Sequence, residues 1–571
     1  MDNDKPRKPL GQLLKEKGLI TEEHIRFVLL EQKRTKEKIG EILERFCIVT
    51  EYDIVNSLSQ QEGVPYLDVD EVIPENKVLK MFNKNLCLNN MFLPIGIKHN
   101  SIEVAVEKAD DSRVQQLISR QTGLRVKKYL SESRKIINAI NKYYYFMENP
   151  INAVIDKEVN SLVSDKEMVR STENLFKYLM HLAVKMRATD IHIRPMEKTS
   201  NVSFRIDGVM IPVISFPSSL KRIIASIKLK SEMDIAEQRL PQDGRFTETI
   251  LNNGYDFRAS TSVSPYGENI VLRMLPMQGI LMGMGQLGFF KKDIEKLGTM
   301  FNEPFGIILL TGPTGSGKST TLYAGIRTLD LLHKNVLTVE DPIEYTMPLI
   351  RQTQVNEKAG YNFANAIRYF LRHDPDVILV GEIRDKETAE TAFSASTTGH
   401  LVLSTLHANS AIGVISRLRD LDVRPFLIAD SLIGIINQRL VRRICTACKE
   451  AYTPDEDERR YLREPSLEVL YRGKGCQLCE GTGYLGRTLV YEVLTLDREL
   501  SQMIEQEADL TKISDRAGQK GFENVFKTTV EKVKAGITTT DEARRVIGHL
   551  RLTEITTTDE ARRVVGHLRL T

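Results

Sequence analysis

The sequence predicts an α/β fold with a parallel sheet, and three features of residues 305–440 carry that prediction. The first is an alternation of short apolar strands with helical stretches, as a parallel sheet requires. The second is a glycine-rich loop at 312–319, which lies between an apolar strand and a helix. The third is an apolar strand that is followed by an acid, Glu382. We place strands at 306–310, 336–339, 377–380 and 401–404.

Composition excludes several classes of protein. The 571 residues contain 79 Lys and Arg against 76 Asp and Glu, a net charge of +3. This small excess gives no reason to expect a dedicated basic surface for binding nucleic acid. The chain has no apolar run of about 18 residues and no apolar signal core after its charged start. We therefore expect a cytoplasmic protein.

The loop reads GPTGSGKS, which matches the phosphate-binding pattern G-x-x-x-x-G-K-[ST] in its required strand–loop–helix context. Backbone N–H groups and the following helix N-terminus favour phosphate oxygens, Lys318 can reach the β and γ phosphates, and the Ser319 hydroxyl can bind Mg²⁺. A chance glycine-rich turn would lack that context. The sequence thus predicts ATP and Mg²⁺ as ligands, with the nucleotide held by Gly312, Pro313, Thr314, Gly315, Ser316, Gly317, Lys318, Ser319 and Thr320.

Acids follow two of the predicted strands. Glu382 resembles a Walker B acid, which orients water or holds the metal through water, and Glu344 is a candidate general base. Glu340 belongs to the same acidic turn, EDPIE, which without the phosphate loop would be read as a solvated loop. His400 and His407 flank another strand; either could sense the γ-phosphate or a neighbouring subunit, although a lone histidine is more often structural.

Four of the six cysteines form two C-x-x-C pairs, Cys445 with Cys448 and Cys476 with Cys479. In a chain without a secretory signal this spacing predicts a tetrahedral Zn²⁺ site rather than disulfides. Four thiolates leave no open position for water, so the site is expected to be structural. The two remaining cysteines, Cys47 and Cys87, are expected to be small buried hydrophobes.

Both ends of the chain contain repeats. At the N-terminus Leu10-Gly11 aligns with Ile39-Gly40 at an offset of 29 residues, and Thr21 and Thr50 occupy equivalent N-cap positions. We expect two similar helical units packed together. At the C-terminus residues 538–553 and 556–571 differ only at Ile547 against Val565, which indicates a terminal duplication rather than a solenoid.

The ordered motifs resemble those of the secretion ATPases of type II secretion and type IV pilus assembly. The phosphate loop, the EDPIE box, the GEIRD Walker B segment and GHLVLSTLHANS occur in the family's order, and DIHIR, FRIDGV and QRLPQDGR precede them. The similarity runs from about residue 171 to about 536. It implies a RecA-like P-loop motor domain, preceded by a PAS-like α+β domain of the N2 type and carrying a tetra-cysteine metal-binding insertion.

The resemblance also implies partners and further ligands of ATP. Members are similar to hexameric motors, so we expect a homohexamer that contacts an inner-membrane platform protein and accessory proteins and lies peripherally at that membrane. Arg258, Arg273, Arg368 and Arg372 match family arginines that contact ATP phosphates. Retraction ATPases generally lack the cysteine insertion, which favours extension or secretion.

The N-terminal repeat resembles a tandem module that binds cyclic di-GMP in some of these ATPases. Two departures matter: Pro9 and Lys38 stand where an arginine is expected, and Cys47 stands where the first copy has Gly18. The alternative is a module that docks to a membrane-associated partner through the same helices.

We therefore predict an ATP-hydrolysing motor for type IV pilus extension or type II secretion. A DNA-handling P-loop ring motor is the alternative, which the small net charge disfavours, and a non-hydrolysing ATP-binding scaffold is disfavoured by the intact motifs. The expected order is an N-terminal regulatory or docking module at 1–150 with its repeat at 8–61, a linker at 151–170, the α+β domain at 171–285, the ATPase domain at 286–536 with its insertion at 442–482, and the duplicated tail at 537–571.

Overall fold

The computed structural model describes residues 8–163, 168–217, 222–277 and 282–548. The chain forms two compact units. The first unit consists mainly of residues 51–277, and the second mainly of residues 9–50 together with residues 282–548. Both units combine helices with sheets, so the predicted α/β class is confirmed.

The N-terminal repeat is visible in the helix boundaries, which are α1 (Leu10–Glu16), α2 (Glu22–Thr35), α3 (Ile39–Arg45) and α4 (Glu51–Glu62). The third and fourth helices begin 29 residues after the first and second, which is the predicted offset. Thr21 caps α2 as expected, since its Oγ1 accepts the backbone N–H of His24 at 3.3 Å. Gly18 and Cys47 occupy equivalent positions and share a left-handed conformation, with φ of 71° and 58°.

A three-stranded sheet follows in the first unit. Its elements are α5 (Asn76–Leu79), α6 (Lys84–Asn89), β1 (Phe92–Lys98), β2 (Ser101–Val106), α7 (Ser112–Thr122), β3 (Arg125–Leu130) and α8 (Ser133–Glu148). β2 pairs antiparallel with β1 and parallel with β3. Cys87 is buried in the core beneath this sheet and its Sγ lies 3.2 Å from the Tyr144 hydroxyl, which confirms the prediction for this cysteine.

The rest of the first unit is a six-stranded antiparallel sheet with the order β6-β5-β4-β9-β8-β7. Its elements are α9 (Ile151–Val163), α10 (Met168–Lys185), β4 (Ala188–Pro195), β5 (Thr199–Ile206), β6 (Val209–Pro217), α11 (Arg222–Lys230), β7 (Asp243–Ile250), β8 (Asn253–Ser264) and β9 (Gly267–Pro276). One face is apolar and packs in a core with α9, α10 and α11. The other face carries the polar residues of the alternating strands.

A linker was expected at 151–170, but residues 151–163 of that segment form α9. Ile151 and Ile155, which are four residues apart, are 4% and 2% exposed in the core of the first unit. Apolar residues at this helical spacing give the segment a face to bury, so it forms part of the domain that follows it.

The second unit is built on a seven-stranded sheet with the order β12-β11-β13-β14-β10-β15-β18. The elements up to its sixth strand are α12 (Met284–Leu287), α13 (Lys291–Phe301), β10 (Gly306–Thr311), α14 (Lys318–Ile326), β11 (Val336–Glu340), β12 (Arg351–Gln354), α15 (Phe363–Phe370), β13 (Val377–Val380), α16 (Lys386–Thr397), β14 (Leu401–Leu406), α17 (Ala411–Asp420), α18 (Pro425–Ser431) and β15 (Leu432–Ile444). All four predicted strands are present. The pairings from β12 to β15 are parallel, and β18 (Tyr484–Thr495) is antiparallel to β15.

Both faces of this sheet are covered. Along β10, Ile307 and Leu309 enter one core, whereas Ile308 and Leu310 enter the core on the other face. All six residues of β10 and all four of β13 are buried. This explains why the predicted strands read as continuous apolar runs.

The remaining elements of the second unit are β16 (Lys449–Tyr452), α19 (Glu456–Leu462), β17 (Leu470–Gly473), α20 (Arg498–Glu505), α21 (Leu510–Gln519), α22 (Val525–Lys534) and α23 (Thr540–Ile547). The last helix continues the folded unit beyond the predicted boundary at residue 537. Its Glu542 is 1% exposed and accepts hydrogen bonds from Arg442 and Arg545. The second copy of the C-terminal repeat, 556–571, lies outside the described residues.

Two helical glycines in the second unit offer a paired test of packing. A Cβ on Gly325 in α14 would lie 2.3 Å from the Phe301 ring, whereas one on Gly298 in α13 would meet nothing within 4 Å. We expect Gly325→Ala to lower the free energy of unfolding by about 1–3 kcal/mol through overpacking. Gly298→Ala should raise it by up to about 1 kcal/mol, because alanine is the better helix former.

Denaturant titration of both variants measures these changes. Equal effects of the two substitutions would contradict the close approach of α14 to α13.

Candidate nucleotide-binding site

The glycine-rich loop follows β10, and α14 begins at Lys318. Gly312 has a φ of 140°, and a Cβ on it would lie 2.2 Å from the Gln438 carbonyl oxygen of β15. The backbone approaches this closely only because the side chain is absent. The loop therefore leads directly into the N-terminus of α14, whose N–H groups favour an anion.

Lys318 is held against its own loop. Its Nζ donates to the carbonyl oxygens of Gly312 at 2.9 Å and Pro313 at 3.2 Å. Burial lowers the pKa of Lys318, an effect that the nearby Glu382 carboxylate opposes. The ammonium group is thus placed at the loop, with a carboxylate in its electrostatic neighbourhood.

Glu382 lies two residues beyond β13, at the edge of the sheet where β10 also ends. Its Oε2 is 3.6 Å from the Nε2 of His407, which directly follows β14, and its Oε1 pairs with the Arg384 guanidinium. Because neighbouring parallel strands end at the same edge, Lys318, Glu382 and His407 converge there.

Thr311, the last residue of β10, joins this edge to the segment that carries His407. Its buried Oγ1 donates to the Ala408 carbonyl oxygen at 2.9 Å and accepts the Ala408 N–H at 2.8 Å. The two bonds fix the residue next to His407 at the base of the glycine-rich loop.

The two glutamates of the EDPIE box differ in their surroundings. Glu340 is 6% exposed and accepts hydrogen bonds from the Tyr323 hydroxyl, from Thr338 Oγ1 at 2.7 Å and from Gln352 Nε2 at 3.1 Å. Both of its carboxylate oxygens therefore accept hydrogen bonds inside the protein, and its contact with nucleotide stays a prediction. Glu344 is exposed on the segment after β11.

Arg368 and Arg372 are exposed side chains near the end of α15. Arg368 donates to Asn365 Oδ1 at 2.9 Å and to Glu387 Oε1 at 2.8 Å, and the Arg372 guanidinium lies 5.0 Å from the centre of the Tyr369 ring. Within the described residues, the hydrogen bonds and ion pairs of neither arginine involve the glycine-rich loop.

Arg258 and Arg273 belong to the first unit, where they are directly opposed on β8 and β9. Arg273 Nε donates to Asp190 Oδ1 at 3.2 Å, and Arg258 Nε lies 4.0 Å from Asp256 Oδ2. The structure thus brings these two predicted arginines together on one face of the six-stranded sheet.

His400 precedes β14 and lies at the opposite edge of the sheet from His407. Its ring Nδ1 is 2.9 Å from the Ala395 carbonyl oxygen and 3.1 Å from Thr398 Oγ1, at the end of α16. The six-residue strand between the histidines is about 20 Å long, so His400 is remote from the γ-phosphate region of its own chain.

The four cysteines of the insertion form one cluster, in which all Sγ atoms lie within 4.8 Å of one another. Cys476 Sγ and Cys479 Sγ are 3.7 Å apart, too far for a disulfide bond of about 2.05 Å. A tetrahedral metal with sulfur bonds of about 2.3 Å requires sulfur–sulfur distances of about 3.8 Å. The backbone N–H of Cys476 donates to Cys479 Sγ at 3.1 Å, as suits a thiolate ligand.

Comparison with known proteins agrees with these motifs. Residues 165–545 match the family described as type II/IV secretion system protein. The chain belongs to this family. Residues 62–150 also match the MshEN domain, which lies within the predicted N-terminal module.

The relatives of this secretion ATPase include proteins of type IV pilus assembly and of type II secretion. The type IV pilus assembly ATPase PilB of Myxococcus xanthus is 34% identical over 93% of this chain and 98% of its own length. The type II secretion system ATPase E of Vibrio cholerae is 43% identical over 65% of this chain and 74% of its own length. Among solved structures, the pilus retraction motor PilT with bound ADP is 28% identical, covers 65% of this chain and 96% of its own, and has a TM-score of 0.44. Within the described residues, no helix is both long and apolar enough to cross a membrane.

Two residues that shape the site of this secretion ATPase were missed by sequence reasoning. Gln438 is fully buried beneath the loop and donates to the Ser316 carbonyl oxygen at 2.8 Å, although the two residues are 122 positions apart. Thr311 meets Ala408 across 97 positions. The only local signal is that Thr311 immediately precedes the glycine-rich motif.

Thr311 provides a test of the link to Ala408. Thr311→Val keeps the shape of the side chain but leaves the Ala408 N–H and carbonyl without this partner. We expect the free energy of unfolding of the second unit to fall by about 1–3 kcal/mol.

Thr311→Ser, which retains the hydroxyl, is the matched control in the same denaturant titration. If the valine variant were as stable as the serine variant, the hydroxyl would contribute nothing to this edge.

Proposed function

We propose that this chain is a Mg-ATP-hydrolysing motor that drives type IV pilus extension or type II protein secretion. The observation that carries the proposal is the convergence of Lys318, Glu382 and His407 at one edge of a parallel sheet. The similarity to PilB of Myxococcus xanthus over 93% of this chain supports the mechanical role.

The residues of the edge have separate proposed roles in hydrolysis. Backbone N–H groups of the glycine-rich loop and Lys318 bind the phosphate tail, and Glu344 accepts a proton from the attacking water. Ser319, in the first turn of α14, and Glu382 are the oxygen ligands that would hold Mg²⁺ directly or through water. The bound ion supplies charge neutralisation on the β and γ phosphates.

The four predicted arginines are proposed to contact ATP phosphates. The exposed Arg368 and Arg372 are available to a neighbouring subunit of a homohexamer, in which they would stabilise negative charge on the phosphates. The same contact with phosphate is proposed for Arg258 and Arg273, as the family resemblance implies. Glu340, by contrast, is assigned to holding α14 through Tyr323.

The proposed location is the cytoplasmic side of the inner membrane, reached through a platform protein of the pilus or secretion machine. For the N-terminal repeat the proposed ligand is cyclic di-GMP. The shared left-handed conformation of Gly18 and Cys47 supports a conserved backbone shape, while Pro9 and Lys38 remove the guanidinium expected there.

Lys318 and Glu382 provide the direct test. Lys318→Ala and Glu382→Gln should each lower the rate of ATP hydrolysis about 100-fold or more, because each removes a charge proposed to act on the phosphates or their metal. Phosphate release by the purified full chain measures the rate.

Lys386→Ala and Glu390→Gln on α16 are matched controls, since their side chains are more than half exposed. Turnover in the Lys318 or Glu382 variant that equals the control variants would refute the assigned roles.

The cysteine cluster is proposed to hold Zn²⁺ as a structural ion, which the 3.7 Å separation of two of its sulfur atoms supports. We expect about one Zn²⁺ per chain by elemental analysis, lost in Cys479→Ser. The zinc-free variant should also melt at a lower temperature, because metal binding adds to the folding free energy.

Cys47→Ala, which lies outside the cluster, is the control for both measurements. Full zinc content in Cys479→Ser would exclude the four-thiolate site.

A further inference from the structure

Three buried polar side chains lie side by side on the seven-stranded sheet, at the edge where the glycine-rich loop begins. Thr311 of β10 is paired in register with Asn437 of β15, and Asn437 is paired with Glu492 of β18. We call these three residues the polar row. Thr311 and Asn437 are 0% exposed and Glu492 is 4% exposed. Residues paired in register point to the same face of a sheet, which here is the face whose core includes α17.

Buried polar groups at this place need hydrogen-bond partners, since leaving them unpaired costs stability. The partners are in residues 407–411, which connect the end of β14 to the first residue of α17. We call these residues the crossing segment. The order of the strands is β14-β10-β15-β18, and the crossing segment contacts the last three of them in that order.

The first two strands hold successive residues of the crossing segment. Thr311 Oγ1 donates to the Ala408 carbonyl oxygen at 2.9 Å and accepts the Ala408 N–H at 2.8 Å. The Asn409 carbonyl oxygen accepts hydrogen bonds from Asn437 Nδ2 at 3.5 Å and from the Arg439 guanidinium at 3.2 Å. The backbone next to His407 is therefore fixed from β10 and from β15.

Glu492 holds the end of the crossing segment and a second helix at the same time. Its Oε2 accepts the N–H of Ala411, the first residue of α17, at 2.7 Å. Its Oε1 accepts the N–H of Val525, the first residue of α22, at 3.1 Å. N–H groups at the start of a helix lack partners within the helix, and the helix dipole favours a carboxylate there. Burial raises the pKa of Glu492, and the N–H groups that donate to it oppose this rise.

The crossing segment begins with His407, the histidine of the nucleotide-binding edge. Its Nε2 lies 3.6 Å from Glu382 Oε2, and its side chain is 56% exposed. A ring with so much exposed surface is not fixed by packing alone. Its position beside Glu382 therefore depends on the backbone that carries it.

We propose that the polar row positions His407 beside Glu382 for ATP hydrolysis, with Glu492 and Asn437 as positioning residues in addition to Thr311. These residues act through the backbone of the crossing segment and not by contact with the nucleotide. The inference rests on the proposed function for its effect on the rate of hydrolysis. Its effect on the crossing segment can be measured without hydrolysis.

The first experiment removes the hydrogen-bond acceptors of Glu492 in two steps. Glu492→Met keeps a side chain of similar length but leaves two helix N–H groups unpaired, whereas Glu492→Gln keeps one acceptor oxygen. We expect Glu492→Met to lower kcat of the full chain about 10-fold, because a small displacement of a group at a site is costly. Glu492→Gln should recover part of this loss. The KM for ATP should change less than kcat, because the glycine-rich loop is intact.

Asn524→Ala is the matched control. Asn524 Oδ1 accepts the Lys527 N–H at 3.1 Å, so this variant removes an acceptor at the start of α22, the same helix that Glu492 holds, and leaves the bond to Ala411 intact. We expect its kcat to stay close to that of the unmodified chain. Equal losses of kcat in Glu492→Met and Asn524→Ala would overturn the proposal.

The second experiment tests whether Glu492 acts through His407. In the His407→Ala background, Glu492→Met should lower kcat by a much smaller factor than in the chain that contains His407. The same factor in both backgrounds would overturn the proposal, because a general weakening of the domain does not depend on the histidine ring.

The third experiment measures hydrogen exchange of the full chain and requires no hydrolysis. Backbone amides of residues 408–413 should exchange faster in Glu492→Met than in Asn524→Ala, because N–H groups that lose their acceptor open more readily. Equal exchange of these amides in the two variants would overturn the proposal, even in a chain that hydrolyses ATP. An unmodified chain without ATPase activity would instead refute the proposed function and the assigned effect on kcat, while the exchange comparison would still decide whether Glu492 holds the crossing segment.

Discussion

The constraint on which the second unit depends is burial of its parallel sheet on both faces. Parallel strands connected by helices are covered on each side, and every residue of β10, β13 and β14 is buried. No side chain within these strands is free to meet a solvent-borne ligand. Chemistry is therefore confined to the residues just after the strands, and their common direction brings those residues to one edge.

The position of a glutamate relative to the end of its strand decides whether its carboxylate is buried or partly exposed. Glu340 is the last residue of β11 and remains inside, where burial and the hydrogen bond to Glu340 raise the pKa of Tyr323 well above its usual range. Glu382 lies two residues past β13 and pairs with Arg384 and His407. The first carboxylate is bonded to Tyr323 in the helix that follows the glycine-rich loop, and the second is partly exposed at the edge.

The sequence predicted the features whose signal is local. The four strands, the glycine-rich loop, the cap at Thr21 and the paired cysteines each depend on neighbouring residues or on short spacing. Long-range features were missed or mistaken: Gln438 beneath the loop, the partner of Thr311 and the burial of Glu340 depend on strand order. The prediction of a linker at 151–163 was wrong for another reason. The segment also contains polar residues, and the two buried apolar positions four residues apart were not recognised as a helix face.

The two sheets expose charged side chains at different places. The parallel sheet can offer polar groups only at its edge, whereas the antiparallel sheet of the first unit has helices on one face and leaves the other polar. Alternation along each strand then sends every second side chain to that open face, and register aligns them across strands. A net charge of +3 over 571 residues excludes a uniformly basic surface, but it does not show whether charged side chains are aligned across strands. Because register is set by pairings between distant segments, adjacent arginines on β7, β8 and β9 concentrate a charge that composition alone does not reveal.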